Sequence, residues 1–272
     1  MDDSLYPFSM VTVSPGAKKW VSATAVADWG DSQAIQATAV GRSTGNAFEI
    51  GAARFVNRSG STAVVGLGVR YANSGWVAGQ IDAANVYTDD TTDAQNSTAA
   101  DFLLWQRLIA TSNGFLVGAS ERFNTLGIIV SAAGDQTAPV LLLSYYNGTA
   151  WVDMTATLIV SDALVAAGTG EKVLAWNWPV DWQRGGVGTN IPANMYCVKV
   201  SHTVGTSGTI DPTASQVFLG YTQLVVGNVA NLAQASYNYA AAMRFPRSGV
   251  SLVPLFSVPS LANICEIQWR WY

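Results

Sequence analysis

The sequence is short of charged residues, and this shortage removes one class of partner. Only 12% of its 272 residues are charged, about half the share usual in soluble domains. Fourteen Lys and Arg face eighteen Asp and Glu, which gives a net charge of −4. Binding to a phosphate backbone needs a basic face, and the longest basic run is Lys18-Lys19. We therefore expect no nucleic-acid partner.

Histidine and cysteine are also scarce, with one and two residues. His202 continues the alternating run from Tyr196 to Val200, so we interpret it as a structural residue at a strand end rather than as a catalytic base. Cys197 and Cys265 lie in strand-like runs without CxxC spacing, which favours buried free thiols over a disulfide or a zinc site. These shortages predict a protein that is not an enzyme and has no cofactor.

Long apolar runs are absent as well. None approaches the roughly 20 residues that a membrane-spanning helix needs. The start, Met1-Asp2-Asp3, lacks the basic-then-apolar layout of a signal peptide. We expect a chain that is made in the cytoplasm and has no membrane partner.

Acidic residues offer the remaining route to chemistry. Paired carboxylates can hydrolyse glycosides, but the sequence does not show which of the eighteen acids converge. Asp89, Asp90 and Asp93 form one acidic cluster whose spacing does not match an EF-hand. We interpret it as a solvated loop with Asp and Thr side chains that cap turns; a calcium site is the alternative.

Strand signals dominate what is present. Residues 264–272 alternate between apolar and polar side chains, as do 196–201, which is the period of a strand with one buried face. Residues 125–130 are apolar on both faces. Many short runs of this kind, separated by Gly, Asn, Asp and Pro, predict an all-β protein, a β-sandwich or jelly roll.

Four stretches carry sharper local predictions. Asn147-Gly148 suits the two positive-φ positions of a type I′ turn, which predicts a tight hairpin with Tyr145 or Tyr146 packing across from Trp151. Residues 98–108 and 229–243 can each hold a short helix, although the second fits a strand equally well. The polar stretch 86–101 reads as a long loop.

The ten tryptophans are the most unusual feature of the composition. Exposed aromatic rings can stack on sugars, but each Trp also buries on the order of 200 Å² in a core or a subunit interface, which we favour. The candidate interface residues come from the two ends of the chain: Trp20, Trp29, Trp269 and Trp271.

An ordered series of motifs resembles a known family. It runs from Tyr145-Tyr146-Asn147-Gly148 with Trp151, through Trp176 to Trp182 in the pattern W-x-x-P-x-D-W, to an aromatic-led strand at 195–200. The series resembles a jelly-roll domain of virion structural proteins in tailed bacteriophages. Residues 87–93 and 114–118 also resemble that group. Cys197 and Lys199 depart from it, because the family more often has arginine in this strand.

The resemblance covers about residues 86–225, which would form the jelly-roll sandwich. Residues 1–85 and 226–272 lie outside it and are β-rich, so we expect an N-terminal β-rich region at 1–85 with a C-terminal segment, 226–272, that packs with it. The fold expectation is therefore a jelly-roll or β-sandwich with a second, discontinuous β-rich region.

The resemblance also implies a function. We expect a decoration, or cement, protein on the capsid surface of a phage particle, synthesised in the host cytoplasm. Its partners would be the major capsid protein and further copies of itself, as a homotrimer. The alternatives are a tail or neck virion protein and a carbohydrate-binding module that recognises host glycans.

Overall fold

The computed structural model describes eleven stretches of the chain, and all structural statements below refer to these. They are residues 9–13, 35–36, 47–71, 73–97, 101–106, 113–136, 140–161, 169–202, 209–246, 250–256 and 264–271. The chain is all-β, with several antiparallel sheets, as the alternating sequence pattern predicts. In these stretches no helix has the length and apolar character needed to cross a membrane.

In the described stretches, the regular structure consists of eighteen strands, one short α-helix and two single-turn 3₁₀ segments. The first nine strands are β1 (Ser9–Val13), β2 (Ile35–Gln36), β3 (Ala47–Val56), β4 (Ala63–Tyr71), β5 (Trp76–Ile81), β6 (Tyr87–Asp89), β7 (Phe102–Leu103), β8 (Gly114–Ala119) and β9 (Thr125–Ala132). The others are β10 (Leu141–Tyr146), β11 (Trp151–Asp153), β12 (Leu158–Ser161), β13 (Gly170–Trp176), β14 (Tyr196–His202), β15 (Thr213–Val229), β16 (Gln234–Pro246), β17 (Val250–Phe256) and β18 (Ile264–Trp271). The helix, α1, is Thr91–Gln95.

The chain divides into two compact units. Unit 1 combines both ends of the chain, residues 1–71 and 222–272, and unit 2 is residues 72–221. Unit 1 is therefore formed from two separate segments of the chain. One sheet of unit 1 has the strand order β1-β18-β3-β16. In a second sheet, β17 lies between β4 and β2.

Unit 2 is a sandwich of two antiparallel sheets. One sheet has the order β11-β10-β14-β8-β5-β6, and the other has β12-β13-β9 followed by β15 up to Tyr221. Phe102 of β7 meets Phe115 of β8 edge to face, with ring centroids 5.6 Å apart. Both residues are fully buried, as apolar side chains between two sheet faces should be. The jelly-roll connection of these strands stays a prediction.

Strand β14 differs from the half-polar strand that its alternation predicts. Lys199 and Ser201, on the expected polar face, are only 7% and 3% exposed. The reason is that a second layer covers this face, because Ile191 and Met195 pack against the cluster that contains Cys197. A strand covered on both sides buries even its polar residues, and Lys199 keeps a partner by donating from Nζ to Asn85 Oδ1 at 2.7 Å.

The hairpin between β10 and β11 is present, but its turn is longer than predicted. Tyr146 pairs with Trp151, which leaves four residues in the loop instead of two. Asn147 does not adopt a positive φ; its Oδ1 accepts hydrogen bonds from the backbone N–H groups of Thr149 and Ala150 instead. This is the Asx-turn use of asparagine. The predicted aromatic contact is confirmed, with the rings of Tyr146 and Trp151 6.1 Å apart.

Of three further expectations on secondary structure, one is confirmed in its strand alternative and two were wrong. In the candidate 229–243, which fits a strand equally well, residues 234–243 belong to strand β16, which pairs with β3. In the first candidate, 98–108, the described part holds only the short strand β7. The stretch 86–101, expected as a loop, contains β6 and α1, because Thr91 hydrogen-bonds the backbone of Ala78 in both directions and ties this segment to β5.

Candidate interaction surfaces and polar sites

The predicted interface tryptophans fall in unit 1. Trp20 and Trp29 lie outside the described residues. Trp269 and Trp271 belong to β18, where Trp269 pairs with Ser9 on one side and Ile50 on the other. Their role at an interface stays a prediction.

The segment from Trp176 to Gln183 is the best-defined surface feature of unit 2, and its end is fixed by Trp182. The Trp182 ring is fully buried and contacts Phe123 and Tyr196 edge to face, at 5.2 and 5.6 Å. Its indole N–H donates to the carbonyl of Cys197 at 3.2 Å, and its own carbonyl accepts from Arg122 at 3.0 Å. Trp182 therefore locks this end of the segment into the sandwich.

Neighbouring residues hold the same segment from the other strands. Tyr145 donates its hydroxyl to Asp181 Oδ1 at 2.7 Å, and this hydrogen bond, with a smaller effect of burial, raises the pKa of Tyr145. The backbone N–H of Gln183 donates to the carbonyl of Tyr146 at 2.9 Å. At the other end Trp176 is fully buried. The turn between these anchors has little freedom to rearrange.

This turn presents apolar side chains to solvent. Val180 is 94% exposed and Trp178 is 36% exposed. The Trp178 ring lies 5.3 Å from that of Tyr221, at an interplanar angle of 37°. We call these three residues the Val180 surface. Among the described residues, no other side chain covers Val180. Its apolar surface is therefore open to contact with another molecule.

A pair of arginines flanks one aromatic ring on the same unit. The guanidinium carbons of Arg122 and Arg184 lie 5.2 and 5.1 Å from the centre of the Tyr196 ring, within cation–π range. Arg184 also donates to the carbonyl of Ser120 at 2.9 Å. These contacts order two long side chains near the buried Trp182, so we assign them to the support of the anchored segment.

His202 is a buried structural residue. It has no exposed surface, and its ring lies 4.7 Å from that of Trp105. Within the described residues, neither ring nitrogen makes a hydrogen bond of good geometry. Burial lowers the pKa of His202, and a weaker polar contact with the backbone of Asn113 acts against this shift. His202 thus lies at the end of β14, where the sequence places it, with its imidazole packed against an indole ring.

The two cysteines were expected to be buried free thiols, and Cys197 is one. It is fully buried, and burial raises the pKa of its thiol to about 12, so the reactive thiolate form is suppressed. The Cys265 side chain is outside what the structure describes. Over the described part of the chain, no group of three or more His, Cys, Asp or Glu side chains is placed to hold a metal ion.

The acidic cluster lies at the start of α1. Asp89 Oδ1 accepts hydrogen bonds from the hydroxyls of Tyr87 and Thr91, at 3.0 and 2.6 Å. Asp90 precedes the helix but makes no capping bond with its side chain. Burial, then a hydrogen bond with Asp93, raises the pKa of Asp90 to about 6. Asp89 thus joins the side chains of Tyr87 and Thr91 at the start of α1, whereas the capping of the backbone that the sequence interpretation expects is not made by Asp90.

This raised pKa predicts a pH-dependent stability. The folded state holds the Asp90 proton more tightly than an unfolded chain, whose aspartate pKa is 3.8. The contribution of protonated Asp90 to the stability of the fold is therefore fully present below about pH 4, and it is lost as the pH rises through about 6. Asp90→Asn should match wild type in melting temperature at pH 4 and exceed it at pH 7.5. Thermal unfolding at both pH values measures this, with exposed Glu121→Gln as the control. A variant that differs equally from wild type at both pH values would contradict the assignment.

Sequence reasoning missed several residues that the structure brings together. Val180 carried no signal of its own, because its exposure depends on anchors distant in sequence. Asn113 is 8% exposed, and its Oδ1 has no partner; a polar residue directly before an all-apolar strand was the available hint. Residues 41–45 read GRSTG, the GxSxG spacing of a hydrolase nucleophile, but that motif needs a strand-to-helix turn, and the stretch is outside the described residues.

Comparison with known proteins adds no identification. No protein-family model, no curated protein and no solved structure matches the chain. The function must therefore be argued from the surfaces described above.

Proposed function

We propose that this chain is a structural protein of a bacteriophage particle, a decoration protein that binds the major capsid protein and stabilises the shell. The observation that carries the proposal is the Val180 surface. It contains one aliphatic side chain that is 94% exposed and, two residues earlier, the Trp178 ring that lies beside Tyr221, on a turn held by buried Trp182. Apolar and aromatic side chains of this kind form the centres of protein–protein interfaces.

The rigidity of the turn supports docking onto another polypeptide. A surface held in its binding conformation loses little side-chain freedom on association, so more of the contact energy appears as affinity. The small share of charged residues in the chain, 12%, also supports docking onto another polypeptide, because the cores of interfaces are depleted of charged residues. The surface is small, so one copy would supply only part of a stable interface. A homotrimer that places three such surfaces on the shell would bind through avidity.

Val180→Asp tests the docking. A carboxylate buried at an apolar contact is costly to desolvate, so we expect binding to capsids assembled from the partner major capsid protein to weaken at least tenfold. Binding is measured by co-sedimentation over a range of protein concentrations. Val187→Asp is the matched control, because Val187 is also exposed, at 44%, but is not part of the Val180 surface. Equal binding of both variants and wild type would reject this surface as the docking site.

The number of copies per particle tests the location. A capsid decoration protein should be present in tens to hundreds of copies, because it repeats with the shell. Quantitative mass spectrometry of purified particles, scaled to the major capsid protein, gives this ratio. A dozen copies or fewer would place the protein in the tail or neck.

A second candidate function is carbohydrate recognition on the host surface. It is favoured by the Trp178 and Tyr221 rings, which lie close together at a shallow angle and offer the kind of face that stacks on a sugar. Glycan-array binding that is lost in Trp178→Ala and retained in Val180→Asp would support this candidate over docking to a capsid. No binding to any host glycan would count against it.

A further inference from the structure

Strand β14 carries a lysine that is buried against the side-chain amide of a distant asparagine. Lys199 is only 7% exposed, and its Nζ donates to Asn85 Oδ1 at 2.7 Å. The two residues are 114 positions apart in sequence, because Asn85 lies in the turn between β5 and β6. Buried lysines are rare and usually have a charged partner, whereas this amine ends on a neutral carboxamide. The fold therefore brings an amine and a carboxamide together in its interior.

The backbone of Asn85 is held on both sides. Its N–H donates to the carbonyl of Asp82 at 3.0 Å, and its own carbonyl accepts from the N–H of Thr189 at 3.0 Å. Asn85 adopts a positive φ of 60°, which asparagine tolerates better than most residues. Gly188 lies so close that a Cβ there would sit 2.0 Å from the Asn85 carbonyl oxygen. The carboxamide therefore has little freedom to move away from Lys199.

The surroundings of Lys199 favour its neutral amine. Leu116, which pairs with Lys199 from β8, and Cys197, two residues earlier on β14, are fully buried and belong to one apolar cluster. Burial lowers the pKa of Lys199, and the charge of Asp82 opposes this shift to a smaller extent. Compared with an exposed lysine, a larger share of this residue is present as the free amine. The free amine is the form that acts as a nucleophile.

The contact between the two side chains is short enough for a reaction. A nitrogen at hydrogen-bond distance from a carboxamide oxygen lies about 3–3.5 Å from the carbon of the same group, the separation of a near-attack arrangement. A fold that holds two groups in this way replaces a bimolecular encounter by an intramolecular one, and the effective concentration rises by orders of magnitude. Lys199 Nζ is therefore placed to attack Asn85 Cγ.

Asp82 supplies a carboxylate in the same turn. Its Oδ1 accepts from the backbone N–H of Val86 at 2.7 Å, which fixes the carboxylate in the turn, and its charge acts on the Lys199 amine. The Asp82 side chain is exposed, so it also exchanges protons with solvent. A carboxylate can take a proton from an attacking amine and return it to the nitrogen that leaves. Asp82 is the candidate for this proton transfer.

We propose that Lys199 and Asn85 form an intramolecular isopeptide bond in the folded chain. Lys199 Nζ attacks Asn85 Cγ and forms a C–N bond, and the bond from Cγ to Asn85 Nδ2 breaks. Nδ2 leaves as ammonia with one proton from Nζ, carried by Asp82, so atoms and charge balance without an oxidant or a cofactor. The bond ties β14 to the turn after β5, across the intervening strand β8. It forms whether or not the chain docks on a capsid.

Mass spectrometry of the full chain, purified folded and then denatured, tests the bond. Loss of one ammonia lowers the intact mass by about 17 Da relative to the sequence. Digestion with trypsin should also give one branched peptide that joins the segments around Asn85 and Lys199, since trypsin does not cleave after an acylated lysine. An intact mass equal to that of the sequence, or a loss of ammonia without the branched peptide, would overturn the proposal.

Variants assign the atoms of the bond. Lys199→Arg keeps a positive charge and hydrogen-bond donors, but its guanidinium stays protonated and does not attack, so the loss of ammonia should disappear. Lys172→Arg, the same exchange on β13, is the matched control and should keep the loss. A loss of ammonia that persists in Lys199→Arg, or that disappears in Lys172→Arg as well, would contradict the assignment.

Asp82→Asn tests the proton transfer and serves if Lys199→Arg does not fold. The variant changes an exposed residue and keeps an oxygen for the Val86 N–H, so the turn should be retained. It removes the carboxylate, so the linked fraction at a fixed time after expression should fall at least tenfold. A linked fraction equal to that of wild type would reject Asp82 as the proton carrier.

Discussion

Replacing Trp182 with alanine is expected to cost about 3–5 kcal/mol of the free energy of unfolding, the usual range for a buried tryptophan. The variant loses the edge-to-face contacts with Phe123 and Tyr196 and leaves the Cys197 carbonyl without its indole donor. Domains are stable by only about 5–15 kcal/mol, so the loss would be a large fraction of the stability of unit 2. Urea unfolding followed by circular dichroism measures the loss.

Trp178→Ala is the matched control, because it removes the same side chain four residues earlier in the same segment. Trp178 is 36% exposed where Trp182 is fully buried. Its removal should cost about 1 kcal/mol or less, as surface substitutions do. Equal losses from the two variants would mean that the segment is not anchored through Trp182, and the rigidity assigned to the Val180 surface would then fail with it.

The second large effect is expected at Gly114. Its missing Cβ would lie 1.9 Å from the Val200 carbonyl oxygen and 2.9 Å from the Ser201 Cα. Both are backbone atoms of the neighbouring strand and cannot turn aside. Gly114→Ala must therefore push β8 away from β14, at about 3 kcal/mol or more, the upper end for overpacked cores. Thermal unfolding gives the cost, and amide hydrogen exchange should show faster exchange along these two strands.

Gly75→Ala provides the control for that substitution. A Cβ at Gly75 would meet nothing within 4 Å, and its backbone does not adopt a positive φ. This variant should be neutral or up to about 1 kcal/mol more stable, because alanine restricts the unfolded chain. Comparable stability of the two alanine variants would show that the sheet yields easily at Gly114.

The strands could be located from the sequence because the alternation of apolar and polar side chains is a local pattern. The burial of their faces could not be predicted in the same way. Alternation at 196–201 located β14 correctly, yet Lys199 is buried because Ile191 and Met195 cover the second face of the sheet. Which residues cover a sheet face depends on tertiary packing, and the alternation of side chains along one strand carries no information about it. The same limit applies to the turn at Asn147, where asparagine has two ways to form a turn and the pairing of Tyr146 with Trp151 selects the longer one.

The Val180 surface was harder to predict for a related reason. The motif from Trp176 to Trp182 was evident in the sequence, but its tryptophans divide into two buried rings and one exposed ring. The division depends on partners such as Phe123 and Tyr196, which are distant along the chain. Asn113 looks like an ordinary loop asparagine until the neighbouring strands enclose it.

Unit 1 combines both ends of the chain, so it can be completed only late in synthesis. Ser9 pairs with Trp269, so β1 cannot find its neighbour until the last strand of the described chain has left the ribosome. Residues 72–221 emerge as one continuous stretch and can fold while translation continues. The early strands must meanwhile wait with unpaired backbone edges, which are prone to aggregate. Nascent chains of this protein should therefore depend on chaperones mainly through their first 71 residues.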